Sequence, residues 1–200
     1  MDEIEIETPS GPARAYLDPP GGSSGTLVLG HGAGGGVGAV DLTAAAEAAR
    51  EAGFAVALVE QPYRVAGKRA PAPAGRLDEA WITVVGELRG RFAGDAPLVC
   101  GGRSIGARVA CRTAAELDAA AVLCLAFPVH PPGKPEKSRL DELDSVRVPT
   151  LVVQGESDPF GMPPPGANRE VVKVAGNHGL KADLDAVRAA VSEWLPGIAG

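Results

Sequence analysis

The segment LVCGGRSIGARVA, residues 98–110, places a serine among glycines, a pattern that can build a nucleophile. Residues 102–106 read G-x-S-x-G, directly after an apolar run and at the start of a predicted helix. This context predicts a sharp strand-to-helix turn with Ser104 at its apex, where small neighbours leave room for a strained backbone. The free N–H groups at the start of that helix favour negative charge that develops beside the serine.

A serine hydroxyl is a poor nucleophile without a base, so a histidine and an orienting acid are also required. In such a fold the acid follows the serine along the chain and the histidine follows the acid. Asp158 comes just after the apolar run in VVQGESDPFG, and His178, in VAGNHGLK, lies between the last predicted strand and the last predicted helix. We therefore predict a catalytic triad of Ser104, Asp158 and His178, with Glu156 as a competing acid.

The tetrahedral intermediate of this chemistry needs hydrogen-bond donors for its oxyanion. The N–H of Ile105, directly after the predicted nucleophile, is the first donor. The second is expected in the loop HGAGG after TLVLG, because glycines let a backbone approach a substrate closely. We assign it to Ala33, with Gly34 as the alternative. His31 in this loop is interpreted as a structural support, since the reaction needs no second base.

Several basic side chains could bind a substrate near these residues. Arg103 precedes the serine, and two segments rich in Pro and Gly at predicted strand ends, residues 61–76 and 130–139, carry Arg64, Lys68, Arg69, Lys134 and Lys137. We predict that Arg103 and Arg69 bind an ester that carries an anion, because a cleft focuses the field of such charges. The alternative is that Arg103 is paired internally and the others are solvated surface residues.

Apolar runs predict the strands that position this chemistry. These runs are TLVLG from Thr26, AVALVE from Ala55, PLVCG from Pro97, AVLCLAFP from Ala121 and TLVVQG from Thr150. Their nearly continuous apolar character is typical of parallel strands that are covered on both faces. EIEIET and ARAYLD flank a turn and predict an antiparallel N-terminal hairpin, and EVVKVAG from Glu170 predicts a last strand.

Helical spacing of apolar residues follows several of these runs, over residues 77–92 and 184–195, and a further helix is predicted over residues 105–117. Strands that alternate with helices predict a doubly wound α/β fold. We expect one domain over residues 1–200, because no linker or internal repeat divides the chain.

Composition and charge narrow the class of protein. The chain has 19 Lys and Arg against 25 Asp and Glu, and its net charge of −6 favours neither a nucleic-acid nor a membrane partner. The acidic N-terminus is unlike a signal peptide, and Cys100, Cys111 and Cys124 are interpreted as reduced, buried thiols, so we expect a cytoplasmic protein. The cysteines and histidines show no zinc-site spacing, and the chemistry needs no metal or cofactor.

The segments HGAGG, GGRSIGARVA, GESDPFG and NHGLK together resemble the small α/β-hydrolase-fold proteins near dienelactone hydrolases. PYRVAGKRAPAP and FPVHPPGKPEK further resemble the branch that includes a mammalian testis-expressed protein and a subunit of the non-specific-lethal chromatin complex. The resemblance implies a minimal, lidless α/β-hydrolase fold and carries the triad onto Ser104, Asp158 and His178. The resemblance implies no substrate. This sequence also departs from the family pattern at two positions: Asn177 stands where many relatives have Asp, and Ser104 replaces the cysteine of dienelactone hydrolases proper.

These observations predict a carboxylesterase-like serine hydrolase that cleaves a small ester or thioester through an acyl-enzyme on Ser104. One alternative is nucleotide binding, because residues 34–39 fit G-x-G-x-x-A and Glu60 ends the next predicted strand, although HGA separates this motif from its strand. The other alternative is a catalytically silent hydrolase-fold protein that serves as a binding or scaffold module.

Overall fold

A computed structural model of the protein describes residues 1–18, 24–92 and 96–199, which form one eight-stranded sheet with helices packed on it. The strands are β1 (Asp2–Ile6), β2 (Ala13–Leu17), β3 (Gly25–Gly30), β4 (Phe54–Glu60), β5 (Leu98–Arg103), β6 (Ala121–Leu125), β7 (Thr150–Gly155) and β8 (Arg169–Val174). Each apolar run of the sequence coincides with one of these strands, as predicted, although AVLCLAFP continues three residues beyond β6 and PLVCG begins one residue before β5.

The sheet is mostly parallel. Its strand order is β1-β2-β4-β3-β5-β6-β7-β8, and the six strands from β4 to β8 in this order run parallel to one another. β1 pairs antiparallel with β2, and β2 pairs antiparallel with β4, so the predicted N-terminal hairpin is confirmed as one edge of the sheet. This topology confirms the doubly wound α/β fold.

The helices are α1 (Val40–Glu51), α2 (Pro62–Val65), α3 (Ala74–Phe92), α4 (Ile105–Thr113), α5 (Leu140–Asp144) and α6 (Leu184–Trp194). The sequence predicted α3, α4 and α6, but α4 ends four residues earlier than expected because turns follow it up to Asp118, which has a positive φ of 48°. It missed α1, whose run of alanines blurs the helical period, and the short α2 and α5.

One apolar core lies on each face of the sheet, because side chains of successive strand residues point to opposite faces. In β3, Val28 packs into the core with α3 and α4, whereas Leu27 and Leu29 pack into the core with α1 and α6. The first core contains Trp81 of α3, and the second contains Val187 and other residues of α6. The central strands are therefore buried on both faces, as their continuous apolar runs predicted.

All three cysteines are free and buried, Cys100 in β5, Cys111 in α4 and Cys124 in β6. Burial raises the pKa of the Cys100 thiol to about 12, so this thiol stays protonated. Within the described part of the chain, no helix combines the length and the apolar character that a bilayer crossing requires.

The sheet positions the predicted catalytic residues at one of its ends. Ser104 directly follows β5, Asp158 follows β7, and His178 follows β8, and these three strands run parallel. In an open parallel sheet the carboxyl ends of the strands meet at one edge, which is where such folds bind their ligands.

Candidate active site

Ser104 occupies a strained turn between β5 and α4. Its backbone has φ 54° and ψ −108°, which is unusual for a residue with a side chain. The backbone is held there, since the Ser104 N–H donates to the carbonyl of Leu125 at 2.9 Å and the Ser104 carbonyl accepts from the N–H of Arg108. The turn therefore projects the hydroxyl above the end of the sheet, as the sequence predicted.

The glycines beside Ser104 let two backbone segments touch. A Cβ on Gly102 or on Gly106 would overlap the carbonyl oxygen of Gly30, which lies opposite Gly102 in the pairing of β3 with β5. A Cβ on Gly101 would crowd the carbonyl oxygen of Leu123 in β6. The G-x-S-x-G pattern thus arises here from the close approach of β3 to the turn and to the first residues of α4.

The structure brings the three predicted triad residues together. The Ser104 hydroxyl oxygen lies 2.9 Å from Nε2 of His178, and Nδ1 of the same ring lies 2.8 Å from Oδ2 of Asp158. The carboxylate can only accept, so Nδ1–H donates to Asp158 and Nε2 is left to accept from the Ser104 hydroxyl. This is the arrangement in which a histidine can take the proton of a serine.

Asp158 is shielded from solvent and firmly held. Its side chain is 1% exposed, and its Oδ1 accepts from the N–H of Phe160 at 2.8 Å. The ring of Phe160 packs on the imidazole of His178 with 4.2 Å between ring centroids. The competing acid Glu156 is exposed, and its backbone N–H pairs with Val174, so Asp158 is the acid that meets the histidine.

A buried amide beneath Asp158 was missed in the sequence. Nε2 of Gln154 donates to Oδ2 of Asp158 at 2.8 Å, and Gln154 is buried near the end of β7. The available signal was a lone amide at the end of the apolar run TLVVQG, since buried polar side chains almost always serve a hydrogen bond.

Arg103 is paired inside the protein, which agrees with the alternative given for it, and its part in substrate binding stays a prediction. Its Nε lies 2.7 Å from Oδ2 of Asp41 in α1, although the N–H does not point at that oxygen, and its Nη2 donates to the carbonyl of His178 at 2.9 Å. The side chains of Arg103 and Asp41 are 16% and 2% exposed. Arg103 therefore connects the serine turn, the start of α1 and the histidine loop.

His31 supports its loop from a buried position. One ring nitrogen lies 2.8 Å from the carbonyl of Gly32, and Nε2 accepts from the backbone N–H of Gln61 at 3.1 Å. The first nitrogen must carry the proton, because its partner is an acceptor. Burial lowers the pKa of His31, which keeps the ring neutral. These contacts agree with the structural role that was predicted for His31.

The two predicted oxyanion donors lie on elements that meet at the turn. Ile105 is the first residue of α4, so its N–H has no partner within the helix. Ala33 is half-buried in the loop after β3, and a Cβ on the adjacent Gly32 would lie 2.6 Å from Nη1 of Arg103. The loop thus packs against the residue before the nucleophile, and the assignment of Ala33 rather than Gly34 stays a prediction.

A cleft of about 590 Å³ opens beside Arg103. We call it the glycine cleft, and its lining residues are Gly34, Gly35, Gly36, Gly38, Ala39, Val40, Asp41, Arg103 and Lys181. A second cavity, of about 280 Å³, is lined by Lys68, Arg76 and Tyr63 among others, and no triad residue lines either space. Arg69 is exposed and lines neither space, so its part in substrate binding stays a prediction.

The start of α1 is unsuited to a phosphate group, which argues against nucleotide binding. Asp41 lies in the first turn of this helix, and its buried carboxylate lies beside Arg103. A phosphate at the same helix terminus would meet that carboxylate instead of free N–H groups. No group of His, Cys, Asp and Glu side chains among residues 1–18, 24–92 and 96–199 could hold a metal ion.

Solved structures share this fold. A serine hydrolase without a lid from Xanthomonas campestris is 24% identical, over 98% of this chain and 94% of its own, with a TM-score of 0.80. An esterase from Pyrococcus furiosus is 15% identical, over 100% and 93%, with a TM-score of 0.78. A dienelactone hydrolase from Anabaena variabilis is 20% identical, over 98% and 97%, with a TM-score of 0.73.

No curated protein matches the sequence. The family described as the alpha/beta hydrolase domain matches residues 23–182, which extend from before β3 to beyond the histidine loop. The match thus includes Ser104, Asp158 and His178, and the sheet has the mostly parallel order of the lidless fold that the sequence predicted. The chain belongs to the α/β hydrolase family.

Proposed function

We propose that this protein is a serine hydrolase that cleaves small esters or thioesters through an acyl-enzyme on Ser104. The observation that carries the proposal is the continuous hydrogen-bonded chain from the Ser104 hydroxyl through His178 to Asp158, with distances of 2.9 and 2.8 Å. A base within hydrogen-bond reach of a hydroxyl, itself oriented by a buried acid, is the arrangement that activates a serine.

In the first half of the reaction, Oγ of Ser104 attacks the carbonyl carbon of the ester while Nε2 of His178 takes the hydroxyl proton. The imidazolium that forms is stabilised by Asp158, whose carboxylate lies against Nδ1. His178 then gives its proton to the leaving alkoxide or thiolate, and the acyl group stays on Ser104.

The oxyanion of each tetrahedral intermediate is held by backbone N–H groups, which we assign to Ile105 and Ala33. The Ile105 N–H belongs to the start of α4, where the helix dipole also favours negative charge. In the second half, water attacks the acyl carbon while His178 takes a proton from it, and His178 then returns this proton to Oγ of Ser104 as the carboxylic acid leaves. No step of this mechanism requires a cofactor.

The glycine cleft is the proposed place of the substrate, because Arg103 lines it and lies between the nucleophile and the histidine loop. The cleft suits a small molecule rather than a polymer segment, since its volume is about 590 Å³. Ester chemistry is also supported by the structural neighbour from Pyrococcus furiosus, which is an esterase, although that likeness concerns the fold.

We also propose that the chain belongs to the branch with the mammalian testis-expressed protein and the chromatin-complex subunit. The support is the segments PYRVAGKRAPAP and FPVHPPGKPEK, of which the first begins at α2 and the second follows β6. A sequence tree in which this chain falls among dienelactone hydrolases instead would contradict this assignment.

The test of catalysis is labelling with a fluorophosphonate probe together with hydrolysis of p-nitrophenyl acetate. Ser104→Ala should abolish labelling and lower kcat by roughly 10⁵- to 10⁶-fold, as in other enzymes that lose the serine of a triad. Ser157→Ala is the matched control, because this exposed serine adjoins Asp158 and should leave both readouts unchanged. A folded wild-type protein that neither labels nor hydrolyses esters would support the silent binding protein instead.

A further inference from the structure

Gln154 is a fully buried amide that follows three consecutive apolar residues of β7. Its exposed fraction is 0%, and it follows Val153 and Val152 in β7. By the alternation of a strand, Gln154 faces the same side of the sheet as Val152, which packs into the core with α3 and α4. A polar group is costly at such a position unless it makes hydrogen bonds.

The direction of this amide is fixed by its neighbours. Nε2 lies 2.8 Å from Oδ2 of Asp158, 2.9 Å from the carbonyl oxygen of Gly161 and 3.1 Å from that of Phe127. Oε1 has no hydrogen-bond partner among the residues that the structure describes. Exchange of the two amide atoms would place Oε1 against three acceptors, so the NH₂ group must face Asp158.

The hydrogen bond from Gln154 acts on the oxygen that meets the histidine. Oδ2 of Asp158 accepts both from Gln154 and from Nδ1 of His178, whereas Oδ1 accepts from the N–H of Phe160. Each carboxylate oxygen is thus held from the protein side, which sets the plane of the group. The Asp158 side chain is 1% exposed, so water has little access to replace a donor that is removed.

We propose that Gln154 is a positioning residue of the triad: its buried NH₂ group orients the Asp158 carboxylate so that Oδ2 receives Nδ1–H of His178. The proposal rests on the proposed serine-hydrolase function. Gln154 also fastens the turn that carries Asp158, since its bond to Gly161 connects the end of that turn to the strand that precedes it. Asparagine is one methylene shorter, and glutamate would set a second carboxylate against Asp158, so neither replaces this amide.

The test compares Gln154→Met with the wild type, because methionine keeps the length and bulk of the side chain and removes its donors. We expect kcat for p-nitrophenyl acetate to fall about 10- to 100-fold with KM unchanged, by analogy with the loss of a group that orients a metal-binding side chain. The low-field proton NMR resonance of Nδ1–H of His178 reports the hydrogen bond to Asp158, and it should move upfield or vanish.

Val152→Ala is the matched control, since it removes apolar volume from the same face of β7 without touching Asp158. It should lower the melting temperature and leave kcat and the resonance as in the wild type. If Gln154→Met does not fold, Gln154→Glu keeps the shape of the side chain, and it should lower kcat and shift the resonance relative to the wild type.

A folded Gln154 variant with wild-type kcat and an unmoved resonance would overturn the role of Gln154. Failure of the underlying function gives a different result: the wild type would show the resonance, yet Ser104 would not react with the fluorophosphonate probe. The effect of Gln154→Met on the resonance then still decides whether the amide orients Asp158.

Discussion

The glycines around Ser104 and the glycines of the glycine cleft differ in what surrounds their missing side chains. At Gly101, Gly102 and Gly106, an added Cβ would overlap or crowd backbone atoms of β3, β6 or α4. At Gly34, Gly36 and Gly38, an added Cβ would meet nothing within 4 Å. The first group is required by packing, whereas the second group leaves volume free.

This difference shows that a glycine-rich segment has no single meaning. The first group lets β3, β5 and α4 approach closely enough to hold Ser104 in its strained turn. The second group lines a cleft, and none of its members is among the residues with a positive φ, so no turn demands glycine there. Neither packing nor backbone conformation therefore requires glycine at these cleft positions.

Replacing Gly106 with alanine should have the largest effect. Helix propensity alone predicts that Gly106→Ala in α4 stabilises the protein by up to about 1 kcal/mol. The overlap of the new Cβ with Gly30 predicts the opposite, a loss of about 3 kcal/mol, the upper end of the cost of extra volume in a packed core. We expect the loss, measured by urea unfolding, together with a lower kcat, because the turn that carries Ser104 must shift.

Gly86→Ala is the control for Gly106→Ala. Gly86 lies within α3, is exposed, and has nothing within 4 Å of an added Cβ. This variant should show the gain from helix propensity and an unchanged kcat. Equal stabilisation of both variants would contradict the packing explanation.

Arg103 precedes Ser104 and pairs with Asp41 of the glycine cleft, so it connects the serine turn to the cleft. Burial raises the pKa of Asp41 above its ordinary value of 3.8, and Arg103 opposes this rise. Arg103→Met leaves the carboxylate buried without a cation, so the free energy of unfolding at neutral pH should fall by about 3 kcal/mol. The pKa of Asp41 rises further in this variant.

The sign of the pH dependence follows from that rise. Between the unfolded and the folded pKa of Asp41, the folded protein binds the proton more tightly than the unfolded chain does. The stability of Arg103→Met should therefore fall as the pH rises through this window, and its deficit should narrow toward about pH 4. In a background of Asp41→Asn the deficit should not vary with pH, and a constant deficit in the single variant would refute the pairing.

Gly36→Val should have the smallest effect on stability and should act on binding instead. Gly36 has open space around it and a φ outside the left-handed range, so the free energy of unfolding should change by no more than about 0.5 kcal/mol. The new side chain narrows the glycine cleft, so KM for p-nitrophenyl butyrate should rise several-fold while kcat changes little. An unchanged KM would place the substrate elsewhere.

The elements of the fold were predictable because short apolar runs and helical spacing are local signals. The eight strands and α3, α4 and α6 were found in this way, and the order of Ser104, Asp158 and His178 along the chain agreed with strands that end at one edge. α1 was not predicted, because Ala44, Ala45 and Ala46 give little difference in hydrophobicity between its buried and exposed faces, although these alanines are buried.

The contacts that hold the catalytic residues in place were not predictable, because they join residues from distant parts of the chain or depend on how the chain turns. Whether Arg103 faces substrate or a buried acid depends on where α1 begins, which no local pattern of the sequence showed. The contact of Gln154 with Asp158 depends on the turn of the chain after β7. Such contacts depend on how distant segments pack in the folded protein, whereas the motifs around them can be recognised within short stretches of sequence.

Because the cysteines are buried, the rate at which their thiols react reports how often the central sheet opens. Cys100 and Cys124 lie in neighbouring central strands, and Sγ of Cys111 in α4 lies 3.5 Å from Sγ of Cys124. A thiol reagent that adds to a thiolate meets a protonated and covered group in the folded protein. Alkylation must therefore wait until β5 and β6 separate from their covering helices, so its rate measures the large-scale opening of the molecule and not the movement of loops around Ser104.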